Sequence, residues 1–188
     1  MLVDAFAGDP ILTHLLHGPE DEQGHPAFFR SMINEHLGGG HVYGAWEGAE
    51  LVGVAIWLPP EGIAVPSAAR RTAAADQRLL RRLYPQGMLD IEALFEVLGP
   101  LHPPEPHWYL AFVGVEPDRQ GRGTGRRLLA PVLDLADQSA TPCYLETPAA
   151  ATLAFYRRSG FEVVSEQRPF PRLELPLWTM IRAPRSDP

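Results

Sequence analysis

The stretch Val115-Glu116-Pro117-Asp118-Arg119-Gln120-Gly121-Arg122-Gly123-Thr124-Gly125 decides how this chain is read. The segment before it, Trp108 to Val115, is nearly all apolar, as a strand buried on both faces would be. The segment after it places Leu128, Leu129, Val132, Leu133 and Ala136 on one side of a helix over 125–137. Glycines between a strand and a helix remove the Cβ atoms that would crowd a ligand, and they let backbone N–H groups converge. The helix start adds partial positive charge, and Arg122 adds a full one. The turn reads as an anion site of phosphate or pyrophosphate size.

Three other readings compete. A nucleoside-triphosphate loop needs Lys and Ser or Thr after its last glycine, and Arg126-Arg127 stand there. A dinucleotide fingerprint needs a third glycine at the position of Arg126, and a hairpin upstream interrupts the repeated strand–helix–strand pattern. A purely structural turn stays open.

Working outward, 143–147 (CYLET) reads as a short strand and 150–158 as a helix stopped by Gly160. The runs 161–166 and 175–181 read as an antiparallel pair. Upstream, 41–47 and 51–59 read as a β-hairpin about the turn 47–50. Residues 67–84 and 88–98 read as helices, and 26–38 as another with Pro26 in its first turn. Residues 1–17 carry helical spacing broken near Asp9-Pro10. Hairpins mixed with crossovers predict an α/β or α+β fold on a mixed sheet.

The composition bounds function. The chain has 188 residues, fits one domain, and can bury a full core without a staple. Apolar residues make up 45% and charged residues 21%, which is ordinary for a soluble protein. No run reaches the ~18 apolar residues of a membrane span, and the first residues do not read as a signal peptide. A net charge of −7 argues against nucleic acid and suits a cationic or amine-bearing substrate. The single Cys143 forbids an intrachain disulfide and favours a reducing, cytoplasmic setting, and no metal site is expected.

Three motifs in order carry a resemblance: V-x-P-x-x-Q-G-x-G-x-G at 115–125, L-E-T at 145–147 and F-Y-R-R-x-G-F at 155–161. Together they resemble the GNAT N-acetyltransferase superfamily. A-x-W-x-x-P-E at 55–61 and the strand at 108–115 extend the likeness toward the puromycin N-acetyltransferase group of bacterial enzymes, with antibiotic inactivation as what that likeness implies. The implied fold is a mostly antiparallel central sheet flanked by helices, with two central strands splaying apart. It divides one domain, 1–188, into a substrate-side half (1–104) and an acyl-CoA-binding half (105–182). The superfamily's opening strand is missing here, which would leave 41–47 as an exposed edge. A homodimer is a frequent assembly in the family.

The resemblance implies a cosubstrate, acetyl-CoA, and a small-molecule primary amine as acceptor. The backbone of Phe112, Val113 and Val115 would pair with the pantetheine amides. Gln120, Gly121, Arg122, Gly123, Thr124 and Gly125 would hold the pyrophosphate. Tyr156 would meet the leaving thiolate as a hydrogen-bond or proton donor. Thr152 replaces a common asparagine and would contact pantetheine. Glu146 is the candidate general base, sharing a strand face with Tyr144, and His107 is the alternative. Phe28, Phe29, Trp57, Tyr84 and Phe95 are either pocket or core. A peptide N-acetyltransferase and a non-catalytic acyl-CoA sensor are the rival functions.

Overall fold

The period-2 runs of the first hairpin fold as an antiparallel pair, β1 (His41–Glu47) and β2 (Glu50–Leu58). In β2, Val54 and Ile56 face one core while Ala55 and Trp57 face the other, so this strand is buried on both sides. The structure, a computed structural model, describes residues 1–17, 21–36, 41–62, 67–170 and 175–185. β3 (Trp108–Val115), β4 (Cys143–Thr147), β5 (Glu162–Phe170) and β6 (Leu175–Arg182) complete a six-stranded sheet in the order β1-β2-β3-β4-β6-β5. Only β3 and β4 are parallel; the other neighbours are antiparallel. The expected mixed, mostly antiparallel sheet is therefore observed. Among the described residues no strand precedes β1, which forms one edge. Between Ala45 and Trp46 the register skips Val52, a bulge on β2 that adds twist to this outermost pair.

Helices cover both faces. One carries α1 (Leu2–Ala5), α2 (Pro10–Leu15), α3 (Asp21–His36), α4 (Ser67–Leu83) and α5 (Pro85–Leu98). Their core includes Leu15, Leu16, Phe28, Phe29, Val54 and Ile56. The other face carries α6 (Thr124–Gln138) and α7 (Ala150–Arg158) around Trp57, Leu129, Val132, Leu145 and Met180. Each such buried side chain contributes roughly 1.5–3 kcal/mol of transfer free energy. Asp9 starts α2: its carboxylate accepts from the Ile11 and Leu12 N–H groups at 3.0 and 2.9 Å.

The sequence reading misplaced two helix starts. α3 begins at Asp21, so Pro26 lies inside the helix rather than in its first turn. Tertiary packing outweighs the lost hydrogen bond: Ala27, Phe28 and Phe29 are all buried, and a Cβ at Gly24 would sit 2.1 Å from the Tyr84 ring. Residues 37 and 38 of the expected helix lie outside the described residues. α5 begins at Pro85, where a proline's missing N–H costs nothing.

The last strand is tied to α6 by charge. Arg182, 3% exposed, donates two bonds to Asp137 at 2.8 and 2.6 Å, and the Arg185 N–H adds a third at 2.7 Å. The Arg182 bonds, outweighing partial burial, hold the Asp137 carboxyl below its ordinary value. A lowered carboxylate stabilises the fold above its unfolded-state value and loses that contribution as pH falls through the folded one. Asp137→Ala, which leaves Arg182 buried without its partner, is expected to cost about 3 kcal/mol. Urea unfolding at neutral pH measures this, and the gap between wild type and variant should close as pH falls below the usual carboxylate range.

Candidate active site

β3 and β4 pair only at Trp108 with Cys143 and at Tyr109 with Tyr144. Beyond that point they diverge, and a V-shaped opening lies between Leu110–Val115 and Leu145–Thr147. On its other side β3 stays paired with β2 up to Val115. The register there slips by one between Ile56 and Trp57, which makes Ala111 the extra residue on β3.

This bulge decides which backbone groups face the opening. The Trp108 N–H donates to Pro142 O beside β4, at 2.9 Å. The Glu116 N–H donates to Val52 O on β2, also at 2.9 Å. Residues an even number apart on a regular strand point the same way, so the bulge between them reverses the alternation. Phe112 and Gly114 therefore turn their backbone groups to β2, and Val113 and Val115 turn theirs to the opening. Of the three expected backbone contacts, Phe112 does not face the gap. Its side chain instead joins Phe6, Phe28 and Phe29, with ring centroids 5.5, 6.3 and 6.2 Å away.

The glycine loop closes the wide end of the V. Pro117–Arg119 makes a 3-10 turn, Gly121 and Gly123 adopt φ +74° and +81°, and α6 starts at Thr124. A Cβ added at either left-handed glycine would meet nothing within 4 Å. The N–H groups from Gly121 through Arg126 find no acceptor among the described residues. The Gln120 amide donates to Val115 O at 3.1 Å and so joins loop to strand. Arg122 reaches back to Asp118 O at 3.0 Å, and Arg119 pairs with Glu47 and Glu50 of the hairpin turn at 3.5 Å each. The buried Thr124 hydroxyl takes a bond from Arg127 at 3.1 Å. Gly125 lets α6 lie against Phe155, whose ring is 3.1 Å from where a Cβ would stand.

Tyr156, on α7, is buried beside Phe155 and Phe161. Burial, then the charge of Asp9, pushes its phenol well above the ordinary value. Asp9 is raised too, because burial outweighs the N–H bonds it accepts. Thr152, one turn earlier, is held locally. Its hydroxyl donates to Ala149 O at 2.8 Å, so the 2.8 Å contact with Thr147 is a bond it accepts.

Glu146 lies on the opposite face of the sheet from Tyr156, with Tyr144, as alternation along β4 required. Its side chain is 6% exposed, and Oε1 is 3.3 Å from His102 Nε2. Tyr109 and Tyr144 complete the surroundings. Both phenols are raised, first by burial and next by the Glu146 charge. His102 packs on both rings, with centroids at 4.7 and 4.5 Å. Sequence reasoning passed over His102. The signal was the proline-stiffened run His102-Pro103-Pro104-Glu105-Pro106-His107, which folds one imidazole back on the other. Phe28, Phe29, Trp57 and Tyr84 are core residues, and Phe95 is exposed. Among the described residues no group of three His, Cys, Asp or Glu is placed to hold a metal ion. No helix among them is long and apolar enough to cross a membrane.

Residues 10–161 match the Acetyltransferase (GNAT) family, and the chain belongs to it. It is an acyltransferase that uses acetyl-CoA. An uncharacterised N-acetyltransferase of Schizosaccharomyces pombe is 28% identical over 99% of this chain and 78% of its own length. The N-alpha-acetyltransferase RimI of Mycobacterium tuberculosis is 43% identical over a shorter stretch, 32% of this chain and 39% of that protein. Among solved structures, a histone acetyltransferase HPA2 and related acetyltransferase from Corynebacterium glutamicum superposes with TM-score 0.71 and 25% identity, covering 99% of this chain and 88% of that one. These likenesses carry the family; the narrower likeness to the puromycin group stays with the sequence motifs alone.

The Tyr156 surroundings make a direct prediction. The absorbance difference between wild type and Tyr156→Phe should show no tyrosinate signal until well above pH 10. A signal at or below pH 10 would contradict a buried phenol next to a carboxylate.

Proposed function

We propose that this chain transfers acetyl from acetyl-CoA to a primary amine of a small molecule by direct attack. The observation that carries the reading is the opening between β3 and β4, flanked by Glu146 on one face of the sheet and Tyr156 on the other. Acetyl-CoA supplies the thioester, and the residues at the opening suit it. Val113 and Val115 offer strand edges to the pantetheine amides, and in the loop 120–125 the unpaired N–H groups from Gly121 onward suit a pyrophosphate. The bare space at the Gly121 and Gly123 Cβ positions leaves room for it. Thr152 keeps one acceptor lone pair for an amide N–H. The Val113 N–H is the donor we assign to the acetyl carbonyl.

Tyr156 acts as a hydrogen-bond donor to the leaving sulfur, not as a full acid. An alkyl thiol ionises near 8.5 and an ordinary phenol near 10, so handing over the proton is uphill by at least about 2 kcal/mol. The raised phenol widens that gap and keeps Tyr156 protonated throughout the physiological range. Glu146 takes the proton from the attacking ammonium.

A small acceptor is supported by how the helix face is walled. Leu2 and Phe6 of the N-terminal segment lie 3.0 and 2.9 Å from where a Gly114 Cβ would stand, and Phe28 and Phe29 back them. A protein or peptide acceptor is the second reading, favoured by the RimI likeness over about a third of the chain. The 1–188 chain acts as one domain in this reading, with 105–182 binding acyl-CoA and 1–104 shaping the acceptor site. The setting is reducing and cytoplasmic, in keeping with a buried free Cys143 whose thiol burial pushes up to about 12.

Three measurements test this. An acetyl-CoA consumption screen should find turnover on polyamines, aminonucleosides or aminoglycosides, and none on peptides; turnover confined to peptides would replace the acceptor class. Gly123→Glu should abolish CoA binding in calorimetry, since it strains a left-handed position and puts a carboxylate where phosphate belongs. Retained micromolar affinity would sink the pyrophosphate assignment. Tyr156→Phe should lower kcat roughly 100-fold with CoA affinity unchanged, the usual scale for one transition-state donor.

A further inference from the structure

We propose that His102 and His107 carry the proton taken up at Glu146 out to solvent, so that three side chains form one proton path. This rests on Glu146 being the base, and it adds residues that the family assignment does not supply.

The hydrogen bonds fix the direction of the path. His107 Nδ1 is 2.8 Å from Glu105 O, and a carbonyl only accepts, so Nδ1 carries the proton. In the neutral ring His107 Nε2 is then an acceptor. It lies 3.0 Å from His102 Nδ1, which must be the donor. With Nδ1 protonated, a neutral His102 has its lone pair on Nε2. That atom faces Glu146 Oε1 at 3.3 Å. Two acceptors oppose each other there, in a buried place, and one proton between them converts opposition into a hydrogen bond. Glu146 Oε1 has no hydrogen-bond partner among the described residues. The gap is therefore built to receive one proton.

The remaining groups at the gap do not satisfy it. Tyr109 on β3 and Tyr144 on β4 face the carboxylate as neutral O–H donors, kept so by burial, the Glu146 charge and hydrogen bonding toward it, yet neither closes a bond with Oε1, the atom that faces His102. Thr179 is the register partner of Glu146 on β6. No Lys or Arg pairs with Glu146 among the described residues, so His102 is the basic side chain that pairs with it there. A metal does not explain the cluster, since these residues are not placed to hold one.

The chemistry balances. The ammonium N–H bond breaks as the proton passes to Glu146 and then to His102 Nε2. His102 releases its Nδ1 proton to His107 Nε2. His107, half-buried at the connector into β3, releases its Nδ1 proton to water in exchange. Each ring ends in its other tautomer and regains the first by exchanging ring protons with water before the next turnover, so the net change over a cycle is R–NH3⁺ to R–NH2 with one proton in solvent, and no oxidant is needed. Exposure rises along the path: 6% at the Glu146 side chain and 27% at His102.

Kinetics and spectroscopy test the path separately. His107→Ala should lower kcat about 10- to 100-fold in dilute buffer, leave KM for acetyl-CoA unchanged, and recover in added imidazole, which can stand in for a rim base. His102→Gln should lower kcat similarly without imidazole recovery. Unchanged kcat in both variants across pH 6–9, or a loss confined to KM, overturns the path while leaving Glu146 in place. The reading beneath it fails differently, by Glu146→Gln matching wild type on an amine that wild type acetylates. Without any substrate, ¹⁵N spectra of the histidine rings should place the His107 proton on Nδ1 and show His102 resonances that Glu146→Gln displaces. A Glu146→Gln spectrum overlaying wild type overturns the pairing whatever the kinetics show.

Discussion

The parallel pairing of β3 with β4 lasts two residues, and the rest of the site depends on its stopping there. A parallel ladder satisfies backbone groups on both strands. Where it ends, those groups need another partner. On β4 the antiparallel β6 takes one side along the whole strand. On β3 the far side is open from Leu110 onward, and the extra residue Ala111 rotates the open groups so that Val113 and Val115 present theirs. Gln120 already uses one of them, the Val115 carbonyl. The loop and the strand are thus one unit: the same side chain that begins the glycine turn closes the last acceptor of the strand.

Sheet and helices divide the chemistry by face. Tyr156 comes from α7, on the side of α6, and is kept neutral by burial and by Asp9 of the opposite helical layer. Glu146 comes from β4 and looks toward the N-terminal helices. In the proposed reaction, a donor for the leaving group and an acceptor for the incoming ammonium need opposite proton states at one pH. Placing them on two faces lets each take its state from different neighbours. Asp9 serves two ends at once, as the cap of α2 and as a charge that raises the phenol.

Legibility in the sequence followed locality. The glycine loop, the short strand at 143–147 and the helix at 150–158 were readable because glycine, alternation and apolar spacing each act over a few residues. The shared face of Tyr144 and Glu146 followed from period-2 geometry alone. The start of α3 was not readable, because proline at position 26 argues for a helix start and only the distant Tyr84 against Gly24 argues otherwise. Phe112 was misjudged for a related reason: one extra residue inverts the alternation, and a bulge leaves no mark in composition. His102 was missed because its partners come from β4 and from its own loop folding back. Four of the five candidate pocket aromatics proved to be core, as aromatic residues at strand and helix spacing usually are.

The slip between Ala45 and Trp46 leaves Val52 of β2 as the extra residue, beside an edge strand whose Trp46 is 63% exposed. An unpaired strand edge is a template, and templates copy themselves most readily when straight. Here the bulge in β2 adds twist to the outermost pair, and a copy would have to follow that twist. A twisted edge is a poorer template for sheet growth than a flat one.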